Sequence, residues 1–229
     1  MIRYGLEDLT TQRFGQEPRS LLPANLRRAA KRMLDATVSL ALLVLLSPLF
    51  VLLIAAIRRD GGTAFYSHRR IGRGGASFGC LKFRSMAMDA EQLLAEQLRS
   101  NPAAAAEWAT RRKLQHDPRI TALGAILRQT SLDELPQLIN VLRGEMSLVG
   151  PRPVVVEELQ DHYGRPGARA YLAVTPGITG LWQVSGRSGT SYTDRVALDM
   201  DYAERPSLRR DLTILLRTVP AVLARRGAV

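Results

Sequence analysis

With 229 residues the chain is long enough for one domain with a real core and too short to promise two independent ones. A single cysteine, Cys80, excludes an internal disulfide framework and multi-cysteine metal sites, and the scattered His68, His116 and His162 do not make a histidine cage. The formal net charge of +11 calls for a polyanionic partner, whether nucleic acid, an anionic membrane or a phosphorylated substrate.

Residues 1–24 read as a polar N-terminal extension. From Met33 to Ile57 the only charged residue is Asp35, with Arg27, Arg28, Lys31 and Arg32 before the stretch and Arg58 and Arg59 after it. A helix of this length reaches across a hydrocarbon core of about 30 Å. Ser47-Pro48 falls near its middle, and proline deletes a helix bond at a cost of roughly 3 kcal/mol, so a bend is predicted there. Both basic flanks favour the cytoplasmic side. Two arrangements fit: a kinked spanning helix, or a re-entrant helix over residues 25–60 that bends at Ser47-Pro48 and returns. A cleaved leader is not expected, because a mostly polar stretch precedes the apolar run and no small-residue cleavage pattern follows it.

Residues 61–229 read as the main domain, mainly α with a short β hairpin. Two strands are predicted, about Ala64–Ser67 and Phe78–Phe83, joined by a loop holding Gly72, Gly74 and Gly75. Cys80 lies in the second as a buried strand residue. Lys82 and Arg84 alternate with apolar neighbours and are predicted on one side of that strand, as cations for a diphosphate or as a solvated face. A helical stretch follows from about Met88 to Leu114, interrupted at Asn101-Pro102. Shorter helices are predicted over Ile120–Leu127, Leu135–Leu142, Val154–His162 and Tyr192–Tyr202. A final one places Leu208, Leu212, Leu215, Leu216, Val219, Val222 and Leu223 on one face, with Pro220 near its end. That face packs on the core or lies in a membrane interface.

Three segments carry candidate chemistry. In RQTSLDELPQL, Asp133 and Glu134 stand at a helix start beside Arg128, where the helix dipole favours carboxylate anions suited to nucleophilic attack or metal ligation. Ser131 with Glu134 also matches a capping box, and Asp133 as the cap would place Pro136 inside the first turn. In MSLVGPRPVVVEE, Pro151 and Pro153 stiffen the chain around Arg152, a phosphate or carboxylate fork. In TPGITGLWQVSGR, Trp182 offers a stacking surface and Gln183 and Arg187 polar contacts.

Taken in order, KRMLDATVSLALLVLLSP, LKFRSM, SLDELPQLINVLRGEMSLVGPRP and TPGITGLWQVSGR closely resemble the bacterial sugar transferases, small monotopic polyprenyl-phosphate phosphoglycosyl transferases. The resemblance runs over most of the chain beyond the extension. It implies a membrane-associated domain with a re-entrant helix broken at Ser47 and Pro48, held at the bacterial inner membrane with its catalytic part on the cytoplasmic face. It also implies a Mg2+ ion at Asp133, a UDP-sugar donor, an undecaprenyl phosphate acceptor, contact with membrane lipids and a possible homodimer, with no nucleic acid. By the same resemblance Asp133 attacks the sugar-bearing phosphate and releases UMP, with Glu134 as base or orienting group. Lys82, Arg84, Arg128, Arg152, Gln183 and Arg187 would bind diphosphate and nucleotide, and the stretch after Trp182 looks most like members moving hexose phosphates. The alternatives are a glycosyltransferase using Asp199-Met200-Asp201 as a D-x-D metal motif and a basic, membrane-anchored nucleic-acid binder, for which no reading helix or zinc pattern appears.

Overall fold

A computed structural model describes residues 23–111, 113–185 and 191–223. The N-terminal extension up to residue 22 and the predicted contact Arg187 lie outside the described residues.

Helices α1 (Ala24–Leu45) and α2 (Ser47–Ile57) meet at a 63° bend. Pro48 stands in the first turn of α2, where its missing N–H costs no helix bond. Ser47 Oγ donates to the Val44 carbonyl at 2.8 Å, taking up a carbonyl at the end of α1. Among the described residues no single helix is long and apolar enough to cross a membrane, whereas the bent pair is. Leu40, Val44, Leu45, Val51 and Leu52 are more than half exposed around the bend. The opposite side is packed: Phe50, Leu53 and Ile57 bury against Ala64, Phe83 and Leu127.

The one acid of the apolar stretch has a structural explanation. Asp35 is buried and accepts hydrogen bonds from Ser147 Oγ (2.8 Å) and the Leu148 N–H (3.2 Å). One turn earlier, Lys31 donates to Asp211 (2.8 Å) and to the Val149 carbonyl (3.2 Å). The Tyr202 hydroxyl is 2.8 Å from Asp211 and 3.0 Å from the same carbonyl. The helix is thereby fastened to the domain by charge as well as by apolar contact.

Strands β1 (Phe65–Ile71) and β2 (Ser77–Phe83) form an antiparallel hairpin with Phe65 opposite Phe83 and Ile71 opposite Ser77. β1 is longer than predicted because the polar run His68–Arg70 reads as loop yet pairs fully with β2. Its far end is clasped: the Ile71 N–H donates to the Val154 carbonyl, and the Tyr171 hydroxyl donates to the Ile71 carbonyl at 2.6 Å. After the hairpin, α3 (Ala90–Ser100) and α4 (Pro102–Arg111) break at Asn101-Pro102 as expected. Helix α5 (Ala122–Gln129) is capped by Thr121, whose hydroxyl accepts from the Gly124 N–H. A Cβ at Gly124 would lie 1.9 Å from the Ser85 carbonyl oxygen, so glycine alone lets α5 pack this closely on the chain after β2.

A short turn then leads to α6 (Gln137–Arg143), β3 (Ser147–Val149), α7 (Val156–His162), α8 (Gly164–Ala173), β4 (Gly177–Thr179), α9 (Leu181–Ser185), α10 (Tyr192–Glu204) and α11 (Leu208–Leu223). The parallel pair β3/β4, with α8 and α9, is absent from the sequence reading; strands of three residues carry no usable period-two pattern. The last helix divides its apolar residues between two sides. Ile214 is buried and Leu215 packs inward, whereas Leu208, Leu212, Leu216 and Val219 are 37–66% exposed. The single apolar face predicted for it is therefore corrected: Asp211 and Thr218 join Ile214 on the packed side, and Thr218 meets Thr179 at 2.8 Å.

Two stability measurements follow. Lys31→Met leaves Asp35 and Asp211 buried without their shared cation, an expected loss of about 3 kcal/mol. This corresponds to a fall of roughly 6–12 °C in Tm, measured by thermal unfolding in detergent. Asp199 is buried in α10, where desolvation pushes its pKa up to about 7 against the opposing hydrogen bond from the Tyr163 hydroxyl (2.8 Å). The unfolded chain loses this proton near pH 4, so between about pH 4 and 7 the folded state holds one proton more and stability falls as pH rises, by about 1.4 kcal/mol per unit. Asp199→Asn is expected to flatten the decline in Tm between pH 5 and 7.5 relative to the unmodified chain.

Candidate active site

The RQTSLDELPQL segment does not form the predicted cap. Ser131 is in the left-handed region (φ 57°) and makes no side-chain cap, and Leu132–Glu134 form a single 3-10 turn. Pro136 precedes α6 as its N-cap. Neither the Ser131–Glu134 box nor an Asp133 cap is present, so the carboxylates are not spent on helix amides. Among the described residues Ser131 is the one non-glycine residue with positive φ. Such a conformation costs of order 1 kcal/mol and is held by its surroundings. It turns the chain so that Asp133 is buried and Glu134 opens to a cleft.

Lys82, extended from β2, lies between the two acids: its Nζ is 2.7 Å from Glu134 Oε1 and 3.4 Å from Asp133 Oδ2. Arg152, on the Pro151–Pro153 segment after β3, brings its guanidinium to 4.0 Å from Glu134. Arg70, Cys80, Gln137 and Gln183 complete the lining. The cleft therefore gathers three cations around one exposed carboxylate edge, a setting suited to a phosphorylated ligand.

The neighbouring carboxylates are pushed in opposite directions. Burial raises the pKa of Asp133 above its ordinary value, and Lys82 only partly offsets this. Burial acts against the charge of Glu134 too, but Lys82 and Arg152 outweigh it and hold its pKa below the ordinary value. The result is one carboxylate held toward its anion beside a desolvated, more basic one. Cys80 borders the cleft, yet burial raises its thiol pKa, which favours the protonated form and fits a packing role.

Of the sequence-predicted contacts, Lys82, Glu134, Arg152 and Gln183 meet in this cleft. Arg128 stands to one side: its Nε donates to Ser85 Oγ at 2.9 Å, and its charge favours ionised Asp133. Arg84 is placed elsewhere. β2 ends at Phe83, so Arg84 escapes the alternation that aims Lys82, and its guanidinium binds Asp60 at 2.7 Å and the carbonyls of Ile57 and Thr63. It closes the end of α2 onto the hairpin. Trp182 is buried with the Arg195 guanidinium 4.6 Å above its ring, so it is not an open stacking surface. Arg70 and Gln137 were missed; full pairing of β1 with β2 was the signal for Arg70, since it places that residue on the Lys82 side.

The D-x-D reading does not survive the fold. Asp199 and Asp201 lie two apart on α10 and diverge, Asp199 buried against Tyr163 and Asp201 paired with Arg205 and Arg210. No group of three or more His, Cys, Asp or Glu side chains suited to a metal occurs among the described residues.

The chain is similar over most of its length to several known proteins. The chain is 52% identical over 200 residues to the exopolysaccharide production protein ExoY of Sinorhizobium fredii, covering 87% of this chain and 88% of that one. It is 49% identical over 201 residues to the undecaprenyl-phosphate galactose phosphotransferase of Salmonella typhimurium, covering 88% of this chain and 42% of that protein. It is 40% identical over 227 residues to the UDP-glucose:undecaprenyl-phosphate glucose-1-phosphate transferase of Caulobacter vibrioides, covering 96% and 79%. The bacterial sugar transferase family model matches residues 26–225. The buried Asp133, the half-buried Glu134 and the cations around them are the candidate site of a chain that belongs to the bacterial sugar transferase family.

Proposed function

We propose that this chain transfers a hexose 1-phosphate from a UDP-sugar to undecaprenyl phosphate, releasing UMP, through a covalent phosphosugar on Asp133. The observation that carries the reading is the desolvated Asp133 beside Lys82 and Glu134, next to a cleft lined by Arg70 and Arg152. The names of the relatives supply the chemistry of the donor and acceptor.

In the first step an Asp133 carboxylate oxygen attacks the phosphorus that bears the sugar. The bond from that phosphorus to the oxygen of the uridine-linked phosphate breaks, and UMP leaves with the electron pair. In the second, an oxygen of the lipid phosphate attacks the same phosphorus and the Asp133 oxygen leaves, restoring the carboxylate and forming a lipid diphosphate sugar. Desolvation makes Asp133 a better nucleophile than a surface carboxylate. Lys82, Arg70 and Arg152 offset the repulsion between carboxylate and diphosphate.

Asp133 with Glu134 would hold a magnesium ion, since such a cation takes one or two carboxylates and completes its shell with water and substrate phosphate oxygens. When bound it supplies further charge neutralisation at the diphosphate. The exposed apolar ridge of the bent α1–α2 pair, with the outward side of α11, would seat the domain on the cytoplasmic face of the membrane, within reach of the lipid phosphate.

With undecaprenyl phosphate, magnesium and a panel of UDP-sugars, UMP is expected from at least one hexose donor. Asp133→Asn is expected to abolish turnover, and Lys82→Met to lower kcat/KM by roughly 100- to 1000-fold. UDP as the nucleotide product, or an active Asp133→Asn variant, overturns the proposal.

A further inference from the structure

The anion cleft accounts for one part of the hairpin face that lines it. In the β1/β2 register Tyr66 is opposite Lys82, His68 opposite Cys80 and Arg70 opposite Phe78. Cross-strand partners project to the same side of a sheet, as do alternate residues along a strand. Tyr66, His68 and Arg70 therefore share the side that carries Cys80 and Lys82, and three of these five, Arg70, Cys80 and Lys82, line the cleft. Tyr66 and His68, directly across the hairpin from Lys82 and Cys80, stand beside the cleft as stacked rings, with centroids 6.2 Å apart and planes inclined by 24°.

Packing does not explain the pair. Apolar packing engages other hairpin residues: Phe78 and Cys80 of this side are buried in the core, and on the opposite side Phe65 stacks on Phe83 at 5.4 Å and Phe83 meets Phe50 of α2 at 5.2 Å. Tyr66 is 54% exposed and belongs to no core cluster. His68 is exposed as well, and partial desolvation with the nearby charges of Arg70 and Lys82 lowers its pKa, which leaves a neutral ring near pH 7. Two neutral aromatic rings beside three cations match a ligand with a planar ring at one end and phosphates at the other. Two residues along a strand cover about 7 Å, of the order of the separation that a ribose sets between phosphate and base.

We propose that Tyr66 and His68 are the stacking wall for the uracil ring of the nucleotide, with the diphosphate drawn inward to Lys82, Arg70 and Arg152. This rests on the reaction proposed above for its choice of nucleotide. It assigns base recognition to the outer part of β1, in place of the tryptophan that the sequence suggests.

The test is binding, which needs no turnover. UMP and ribose 5-phosphate are titrated by calorimetry into the full chain in detergent, its Tyr66→Ala and His68→Ala variants, and Tyr66→Phe. Tyr66→Ala is expected to weaken UMP by roughly 5- to 100-fold, the range for loss of one base-stacking contact, and to leave ribose 5-phosphate unchanged. His68→Ala is expected to weaken UMP selectively as well, and Tyr66→Phe to retain most of the affinity. Equal weakening of both ligands, or no weakening of UMP, overturns the proposal. Loss of sedimentation with anionic vesicles in Tyr66→Ala, at unchanged UMP affinity, would assign the ring to the membrane and also overturn it. Absence of UMP release from every UDP-sugar defeats the proposed reaction and leaves the stacking measurement readable by itself.

Discussion

Lys31 lies within 2.8 Å of Asp211 and 3.8 Å of Asp35, and all three converge on strand β3, where Lys31 and Tyr202 both reach the Val149 carbonyl. Two carboxylates that are almost fully buried tolerate this only because a cation stands between them and hydrogen bonds take up their oxygens. Three elements far apart in sequence, α1, α10 and α11, are thus tied to one short strand. Immediately beyond that strand come Gly150, Pro151 and Arg152. The same anchor that fixes the apolar helix pair therefore sets the start of the segment that delivers a guanidinium to Glu134.

From that anchor the site is assembled by rigid backbone on both sides. On one side the chain leaves β3 and is clasped at Val154 by β1 and the Tyr171 hydroxyl. On the other, Asn140 of α6 accepts from the Leu81 N–H and donates to the Gly79 carbonyl, holding β2 against the helix that follows the acidic pair. Lys82 sits one residue beyond that contact. These contacts fix the backbone from which Lys82 and Arg152 extend, which fits a site whose charges must be held close to one another before a ligand arrives.

Much of this was legible in the sequence, in proportion to how local the signal was. Pro48 after a serine marked the bend, Asn101-Pro102 marked the break between α3 and α4, and period-two alternation aimed Lys82 correctly. Asp133 and Glu134 stood out as adjacent acids, but their setting did not, because a left-handed Ser131 is chosen by tertiary surroundings and leaves no trace in propensity. Arg84 misled for a related reason: alternation holds only while the strand lasts, and β2 stops one residue earlier. Trp182 misled because exposure cannot be read from residue type, and its ring is covered by Arg195 from a different helix. Asp35 was visible as the lone acid of an apolar helix, whereas its partners, Ser147 and Leu148, lie more than a hundred residues away.

The hairpin has one further consequence. Its aromatics packed toward α2 and its cleft-side residues alternate along the same two strands, Phe65 and Phe83 on one side and Tyr66, Arg70 and Lys82 on the other. Parity, more than distance, couples the aromatic pair packed toward α2 to the site. Adding or deleting a single residue within either strand would turn that strand over, sending Lys82 toward α2 and Phe83 into the anion cleft. The glycine turn at residues 72–76 can absorb a change in length that the strands cannot.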